Sequence, residues 1–370
     1  MNAKSFALLL MAVAITIQAS SQALRIPQNT NIYNVAGRRV GVTDIQIHYN
    51  SPGVKGREGK IYGTDIVPYG YTELGFGSNV ASPWRAGADE CTVMSFSTDI
   101  TINGKPLPAG KYAFFIAVYA DSSVLIFNKN TDAWGSYFYR QELDVLRVTT
   151  QQKKNQPVLQ ERLVYNFSNQ TDHSVQINLE WERWSFPIQV EVDLKKTVLE
   201  DIRRQMSGAI GFDPASLEAA AQWCVANDTN YEEALNWINS ATNPQLGGRA
   251  SFAALSTHSR ILQKLGKDKE AADMMNKAIE NANATELHSY GRQLLSEKKP
   301  QEALAIFQKN YDKHKGAWPT NAGLMRAYSA LGDYPKALQF AKAAMTQAPD
   351  EQTKKFLETA IKTLGEGKPL

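Results

Sequence analysis

Apolar and polar residues alternate with a period of two between Gly41 and Val192, and the period lengthens to three and four residues after Lys196. Ile45, Ile47 and Tyr49 are interleaved with Asp44, Gln46 and His48, the pattern of a strand with one buried face. Extended stretches then recur at short spacing: Thr92–Thr98, Asp99–Ile102, Tyr112–Val118, Val124–Phe127, Ser136–Tyr139, Val145–Val148, Leu163–Phe167, Val175–Trp181 and Phe186–Val192. Asn103-Gly104 tolerates the positive φ angles of a tight hairpin between Ile102 and Lys105. Pro106 to Gly110 marks a second turn. Strands this short and dense, with no helical period between them, predict an all-β antiparallel sandwich, with a closed barrel as the alternative.

After Lys196 alanine becomes common. Val198–Met206 reads as a connecting helix that Gly208 and Gly211 end. Asp213-Pro214 is a helix start, because the carboxylate caps free backbone N–H groups and proline suits the first turn. Lys269-Glu270-Ala271, Gln301-Glu302-Ala303-Leu304 and Pro335-Lys336-Ala337-Leu338 each open the second helix of a hairpin, with alanines 32 and 34 residues apart. Tyr231 to Leu235 is a divergent fourth copy. The period near 34 resembles the tetratricopeptide repeat. The Leu331-Gly332-Asp333-Tyr334 turn, the small residue Ala337 and the closing Pro349 agree with it. The resemblance implies an all-α array of helical hairpins with a concave surface for a protein partner, and it carries no chemistry of its own. The expected division is a sandwich over 24–196, a connecting helix and linker over 197–212, and repeats over 213–370, with Glu351–Leu364 as a cap helix.

The N-terminus adds a compartment. Lys4 precedes an apolar run from Phe6 to Ile17, and Ser21-Gln22-Ala23 offers small residues for cleavage. The run falls short of the roughly 20 residues a membrane span needs. Residues 1–23 are therefore expected to be a signal peptide, with a mature chain that is periplasmic or secreted and has no membrane span. Charge is close to balance, 40 Lys and Arg against 37 Asp and Glu, and residues 24–196 hold 18 and 17. A phosphate-neutralising surface tilts that balance, so nucleic acid is not an expected partner. Two cysteines, Cys91 and Cys224, do not make a disulfide framework.

One block stands apart from ordinary sandwich turns. It comprises Ser51-Pro52-Gly53-Val54-Lys55-Gly56-Arg57, Ile61-Tyr62-Gly63, Val67-Pro68-Tyr69-Gly70 and the run Trp84-Arg85-Ala86-Gly87-Ala88-Asp89-Glu90-Cys91-Thr92. With Leu107 to Tyr112, Ile126-Phe127-Asn128-Lys129, Trp134-Gly135 and Asp144-Val145-Leu146-Arg147-Val148, it closely resembles the family called domain of unknown function 2911. The resemblance runs from about Val42 to Ile188 and implies an exported β-sandwich, often followed by tetratricopeptide repeats. It brings no catalytic residues with it. The stretch from Tyr71 to Pro83 is longer than that family's pattern leads one to expect.

Within this block, Lys55, Arg57, Arg85, Asp89, Glu90 and Lys129 lie among Tyr69, Trp84 and Trp134, with glycines flanking many of them. Rings that stack, arginines that fork onto carboxylate or hydroxyl groups, and glycines that admit close backbone are what a polar ligand site needs. These nine residues are the candidate ligand-binding set, for a glycan or a peptide. The competing expectation is architectural: Arg85 pairs Asp89 or Glu90 to lock a turn, and Trp84 and Trp134 enter the core. Trp181 and Trp184, at a strand end, are expected to be partly exposed.

Other chemistry finds little support. His48, His173, His258, His288 and His314 show no paired spacing with each other or with cysteine, so no metal is expected. Gly75 and Gly77 do not follow a strand and open a helix, and no nucleophile elbow or phosphate loop occurs, so no cofactor is expected. Catalytic residues are not identifiable. The pattern favours a non-enzymatic exported scaffold; the alternative is a hydrolase or transferase built on Lys55, Arg85, Asp89 and Glu90. Against the alternative, Asp89 and Glu90 are strand neighbours and point to opposite faces unless a bulge intervenes.

Overall fold

A computed structural model describes residues 31–314, Gly316 and residues 318–370. The expected signal peptide lies outside these residues. The chain divides between Leu199 and Glu200 into two compact units.

The first unit is a sandwich of eleven strands among the described residues: β1 (Ile32–Val40), β2 (Thr43–Ser51), β3 (Ala88–Phe96), β4 (Ile100–Ile102), β5 (Lys105–Leu107), β6 (Gly110–Ala117), β7 (Ser123–Asn128), β8 (Asp144–Thr150), β9 (Gln160–Ser168), β10 (Ser174–Glu182) and β11 (Trp184–Glu191). One sheet runs β1-β2-β3-β6-β7-β8 and the other β5-β4-β11-β10-β9, so the barrel alternative is set aside. Alternation puts Ile45, Ile47, Phe114, Phe127, Ile177 and Phe186 into one core, each at most 1% exposed. The hairpin at Asn103-Gly104 forms, with φ of 47° and 76° and Ile102 opposite Lys105.

Two stretches depart from the periodicity. β1 pairs with β2 over its whole length, yet it lies at a sheet edge with Ile32, Tyr33 and Val35 exposed, so it lacks the alternation that marks a half-buried strand. Ser136–Tyr139 reads as a strand but forms turns. Its side chains are anchors: Ser136 Oγ donates to Pro83 O at 2.6 Å, and Tyr139 Oη to Asp144 Oδ2 at 2.7 Å. Tyr139 also packs with Phe115, Ile126, Ala133 and Cys91 on the outer face of the six-stranded sheet. Asp144 accepts from Arg147 Nε at 2.7 Å and from Asn128 Nδ2 at 2.7 Å. The Asp144 to Val148 motif is thus a structural knot that ties down the loop after β7.

The boundary between the units falls in α1 (Leu194–Met206). The second unit continues with α2 (Pro214–Ala226), α3 (Tyr231–Thr242), α4 (Phe252–Lys264), α5 (Asp268–Asn281), α6 (Ala284–Ser296), α7 (Pro300–His314), α8 (Trp318–Ala330), α9 (Tyr334–Met345) and α10 (Glu351–Gly365). Asp213 caps α2, accepting from Ser216 N–H at 2.9 Å. Ala234, Ala271, Ala303 and Ala337 recur in the second helix of each hairpin and are all buried, which lets neighbouring helices approach. A close approach surrounds Phe307, whose ring lies against Gly291 and Gly323 with no room for a Cβ at either. Leu357, Ala360 and Leu364 bury the inner face of α10. No helix among the described residues is long and apolar enough to cross a membrane.

Candidate functional site

At one end of the sandwich the six-stranded sheet splits. β3 pairs with β2 as far as Ala88 opposite Asn50, across a bulge, while Trp84 pairs with Ile116 of β6 in its place. The segment that crosses from one pairing to the other takes left-handed φ at Ala86 (50°) and Asp89 (56°). Lys55 (51°) and Glu182 (58°) lie in the same region of φ. Side chains other than Gly, Asn and Asp rarely adopt that conformation, and it costs about 1–3 kcal/mol where the surroundings enforce it.

Beside this split lies a depression of about 290 Å3. Lys55, Arg57, Arg85 and Asn31 line it, with Trp84 and Trp181 among its walls. The two indoles are stacked, centroids 6.1 Å apart at 18°. Tyr62 packs edge-on to both and stacks on Trp184 at 4.3 Å. Burial, reinforced by the Glu182 charge, holds the Tyr62 phenol well above its ordinary pKa, so it stays neutral. Trp181 is 2% exposed, against the expectation for a strand end, because Trp84 stacks on it and Tyr62 packs edge-on against it.

Each arginine is positioned by backbone. Arg57 donates from Nε to Val54 O at 2.9 Å and from Nη2 to Gly53 O at 2.8 Å, which closes the Gly53–Arg57 turn. Arg85 donates from Nη1 to Asp89 O at 2.9 Å. Its guanidinium lies against Gly135, where a Cβ would come within 2.5 Å of Nη1, and Gly135 itself has φ of 58°. Gly135 thus provides the shelf for Arg85. Among the described residues, Lys55, Arg57 and Arg85 form no salt bridge. Glu161 Oε1 accepts from the Lys55 backbone N–H at 3.0 Å.

The structure therefore brings four of the nine candidate residues together: Lys55, Arg57, Trp84 and Arg85. Asp89 supports them, since its carbonyl holds Arg85 and its carboxylate accepts from Asn31 Nδ2 at 3.0 and 3.1 Å. Glu90 goes elsewhere: it accepts from Asn50 Nδ2 at 2.5 Å and lines a separate groove of about 820 Å3 beside His48 and Lys111. Tyr69 is 44% exposed with its ring over Gly63, and it lines neither depression. Lys129 is exposed and engages through its backbone N–H to Leu143 O. Trp134 is 53% exposed and lies outside the core, against the architectural expectation for it. Trp84 follows that expectation at 9% exposed, and Arg85 locks its turn through the Asp89 carbonyl rather than a carboxylate.

Sequence reading missed Asn31, Ile66 and Trp181 as wall residues. Asn31 precedes any periodic stretch and offered no signal. Cys91 is a buried free thiol pushed up to about 11 by burial, and Cys224 is another. In the helical unit, a groove of about 390 Å3 between α4 to α7 mixes Arg260 and Lys299 with Asp268 and Glu297. Among the described residues no cluster of metal ligands occurs.

Residues 32–190 match the family model described as a protein of unknown function, DUF2911, and residues 294–357 match that of a tetratricopeptide repeat. No curated protein matches the chain. Solved structures also resemble it, two of which follow. One is the crystal structure of YrrB, "a TPR protein with an unusual peptide-binding site", at 18% identity and a TM-score of 0.28, covering 44% of this chain and 84% of that one. The other is a double mutant of MamA RS-1, at 18% identity and a TM-score of 0.27, covering 43% and 91%. The sandwich thus carries a segment that matches DUF2911, and the helical hairpins after it a segment that matches tetratricopeptide repeats, an arrangement that suggests a protein-interaction scaffold.

Proposed function

We propose that this protein is an exported binding scaffold, periplasmic or secreted after cleavage near Ala23. The sandwich takes a glycan or peptide ligand at the Lys55–Arg57–Arg85 depression, and the helical hairpins dock a protein partner. One observation carries the reading: three cations without a carboxylate partner among the described residues converge on a depression walled by two stacked indoles. Two of the three are held in place by backbone carbonyls before any ligand arrives, which lowers the ordering cost of binding. The left-handed residues around the depression agree with a site whose geometry is enforced by its surroundings.

Binding is favoured over catalysis by the fate of the two carboxylates. Asp89 is engaged by Asn31, and Glu90 by Asn50 in another groove, so they do not converge as an acid and a base would.

The test is retention from an envelope extract of the source cells. Wild-type chain is compared with Lys55→Gln, which removes an ammonium that makes no bond to a described residue and so should leave folding intact. The expected result is a defined glycan or peptide retained by wild type and lost from Lys55→Gln. Equal retention by both removes this depression from the function. Consumption of the small molecule, with product appearing, replaces the binding reading by the hydrolase or transferase.

A further inference from the structure

Resting on that reading of the site, we infer that its ligand is the C-terminal end of a peptide whose last residue is apolar. The cationic depression shares Ile66, Trp84 and Arg85 with a second depression of about 320 Å3, so the two are halves of one trough. The halves differ in chemistry. The first is lined by Lys55, Arg57 and Arg85 and no acid. The second is walled by Pro68, Leu74, Pro83 and Tyr137, with Asp65, Thr72, Ser82 and Ser136 also lining it.

The cationic half has unused donors. Arg57 commits Nε and Nη2 to carbonyls and keeps Nη1; Arg85 commits Nη1 and keeps Nε and Nη2. The Lys55 ammonium bonds to no described residue. Together they suit a carboxylate, which only accepts hydrogen bonds and does so through two oxygens.

A C-terminal residue carries that carboxylate and its side chain on the same α carbon. It can therefore place the acid in one half and the apolar group in the adjoining half across a common wall. An acid alone would leave the apolar half unfilled. An anionic glycan would press its hydroxyls against Pro68, Leu74 and Pro83, where they lose water, and the Ser82 and Ser136 hydroxyls there already donate to Val80 O and Pro83 O. Asp65 lines the apolar half, is exposed, and has no partner among the described residues. It repels an acid there and offers an acceptor to a peptide N–H, so the ligand has one orientation.

Leu74 and Pro83 of the apolar wall belong to the long Tyr71–Pro83 stretch. Ser78 fastens that loop, with its N–H donating to Tyr137 O at 2.8 Å and Oγ to Tyr139 O at 2.9 Å. Gly77, at φ of 77°, permits the contact, because a Cβ would fall 2.0 Å from Tyr137 O. The wall is thus built into the fold by named anchors.

The experiment is calorimetric titration of the full chain with four probes: N-acetyl-Gly-Gly-Leu, its C-terminal amide, N-acetyl-Gly-Gly-Gly, and a disaccharide ending in glucuronate. The free-acid leucine peptide should bind. The amide and the glycine peptide should each bind at least about tenfold more weakly, the effect of losing one charge-assisted bond or one buried side chain. Lys55→Gln should weaken the leucine acid but not its amide, and Leu74→Ser should weaken the leucine acid but not the glycine acid. Equal binding of acid and amide overturns the inference. So does binding of the disaccharide with none of the peptides, an outcome that leaves the ligand-binding reading standing. If no probe binds, the inference is likewise overturned, and the ligand-binding reading is then decided by Lys55-dependent retention from the envelope extract.

Discussion

Substituting Gly135 by alanine tests whether this glycine exists to seat Arg85. Two costs add at this position. The left-handed backbone, φ of 58°, costs an alanine about 1–2 kcal/mol. The new methyl would fall 2.5 Å from Arg85 Nη1, 3.1 Å from Arg85 Cδ and 3.0 Å from Asp89 O, so the guanidinium must leave and its bond to Asp89 O is lost. A hydrogen bond to a charged group contributes about 1.5–3 kcal/mol. The expected loss is therefore about 2.5–5 kcal/mol. Gly56 provides the control, since it has φ of 74° with nothing within 4 Å of a Cβ. Gly56→Ala should cost only the backbone share, about 1–2 kcal/mol. Because the chain has two units, a single melting curve mixes their transitions. Amide hydrogen exchange in β3 and β6 reads the sandwich alone. If Gly135→Ala lowers protection there no more than Gly56→Ala does, the shelf argument is wrong.

Two further outcomes concern the helical unit. Gly323→Ala should destabilise it although alanine is the better helix former by about 1 kcal/mol, because a Cβ would lie 2.3–2.9 Å from carbons of the buried Phe307 ring and overpacking costs about 1–3 kcal/mol; a raised melting temperature of the helical circular dichroism signal would refute this. Burial, with Arg326 and Arg292 adding against an opposing backbone hydrogen bond at Pro319, lowers His288 from its ordinary 6.5 to about 4. The unfolded chain then binds the proton more readily, so this contribution to stability is whole above about pH 6.5 and is lost as pH falls through about 4. Between pH 7 and pH 4 the helical signal of wild type should lose more melting temperature than that of His288→Gln, and equal losses would rule the reasoning out.

The fold was legible where one physical rule dominated. A half-buried strand must alternate, and Ile45, Ile47 and Tyr49 do so with each side chain in the core. A helix stack must place a small residue where helices touch, and the alanines at 271, 303 and 337 are buried. Legibility failed where residues served loops. Ser136 to Tyr139 is as aromatic as a strand, yet its apolar content caps the outside of a sheet and its polar atoms fasten a turn. Local composition cannot separate these uses, because both bury rings against a sheet. β1 failed for the opposite reason: an edge strand whose partner satisfies its backbone need not bury its side chains.

The candidate site was legible as a block and not as a set of contacts. Charges beside aromatics and glycines did mark the split in the sheet, but the block mixes two kinds of residue that sequence alone presents alike. Lys55, Arg57 and Arg85 face the depression. Asp89 and Gly135 do not line it and instead hold Arg85 in place. The glycines separate along the same line: Gly56 meets nothing, whereas Gly77, Gly87 and Gly135 each stand where a methyl would strike a neighbour at 2.7 Å or less. A glycine required by contact rather than by turn geometry alone has a partner across the fold, and that partner is fixed only once distant segments meet. For Gly135 it is Arg85, and for Gly77 it is the Tyr137 carbonyl. Both contacts fasten walls of the same trough, one the cationic half and the other the apolar half. The parts of the block that resisted reading are therefore the supports on which any ligand selectivity of the site depends.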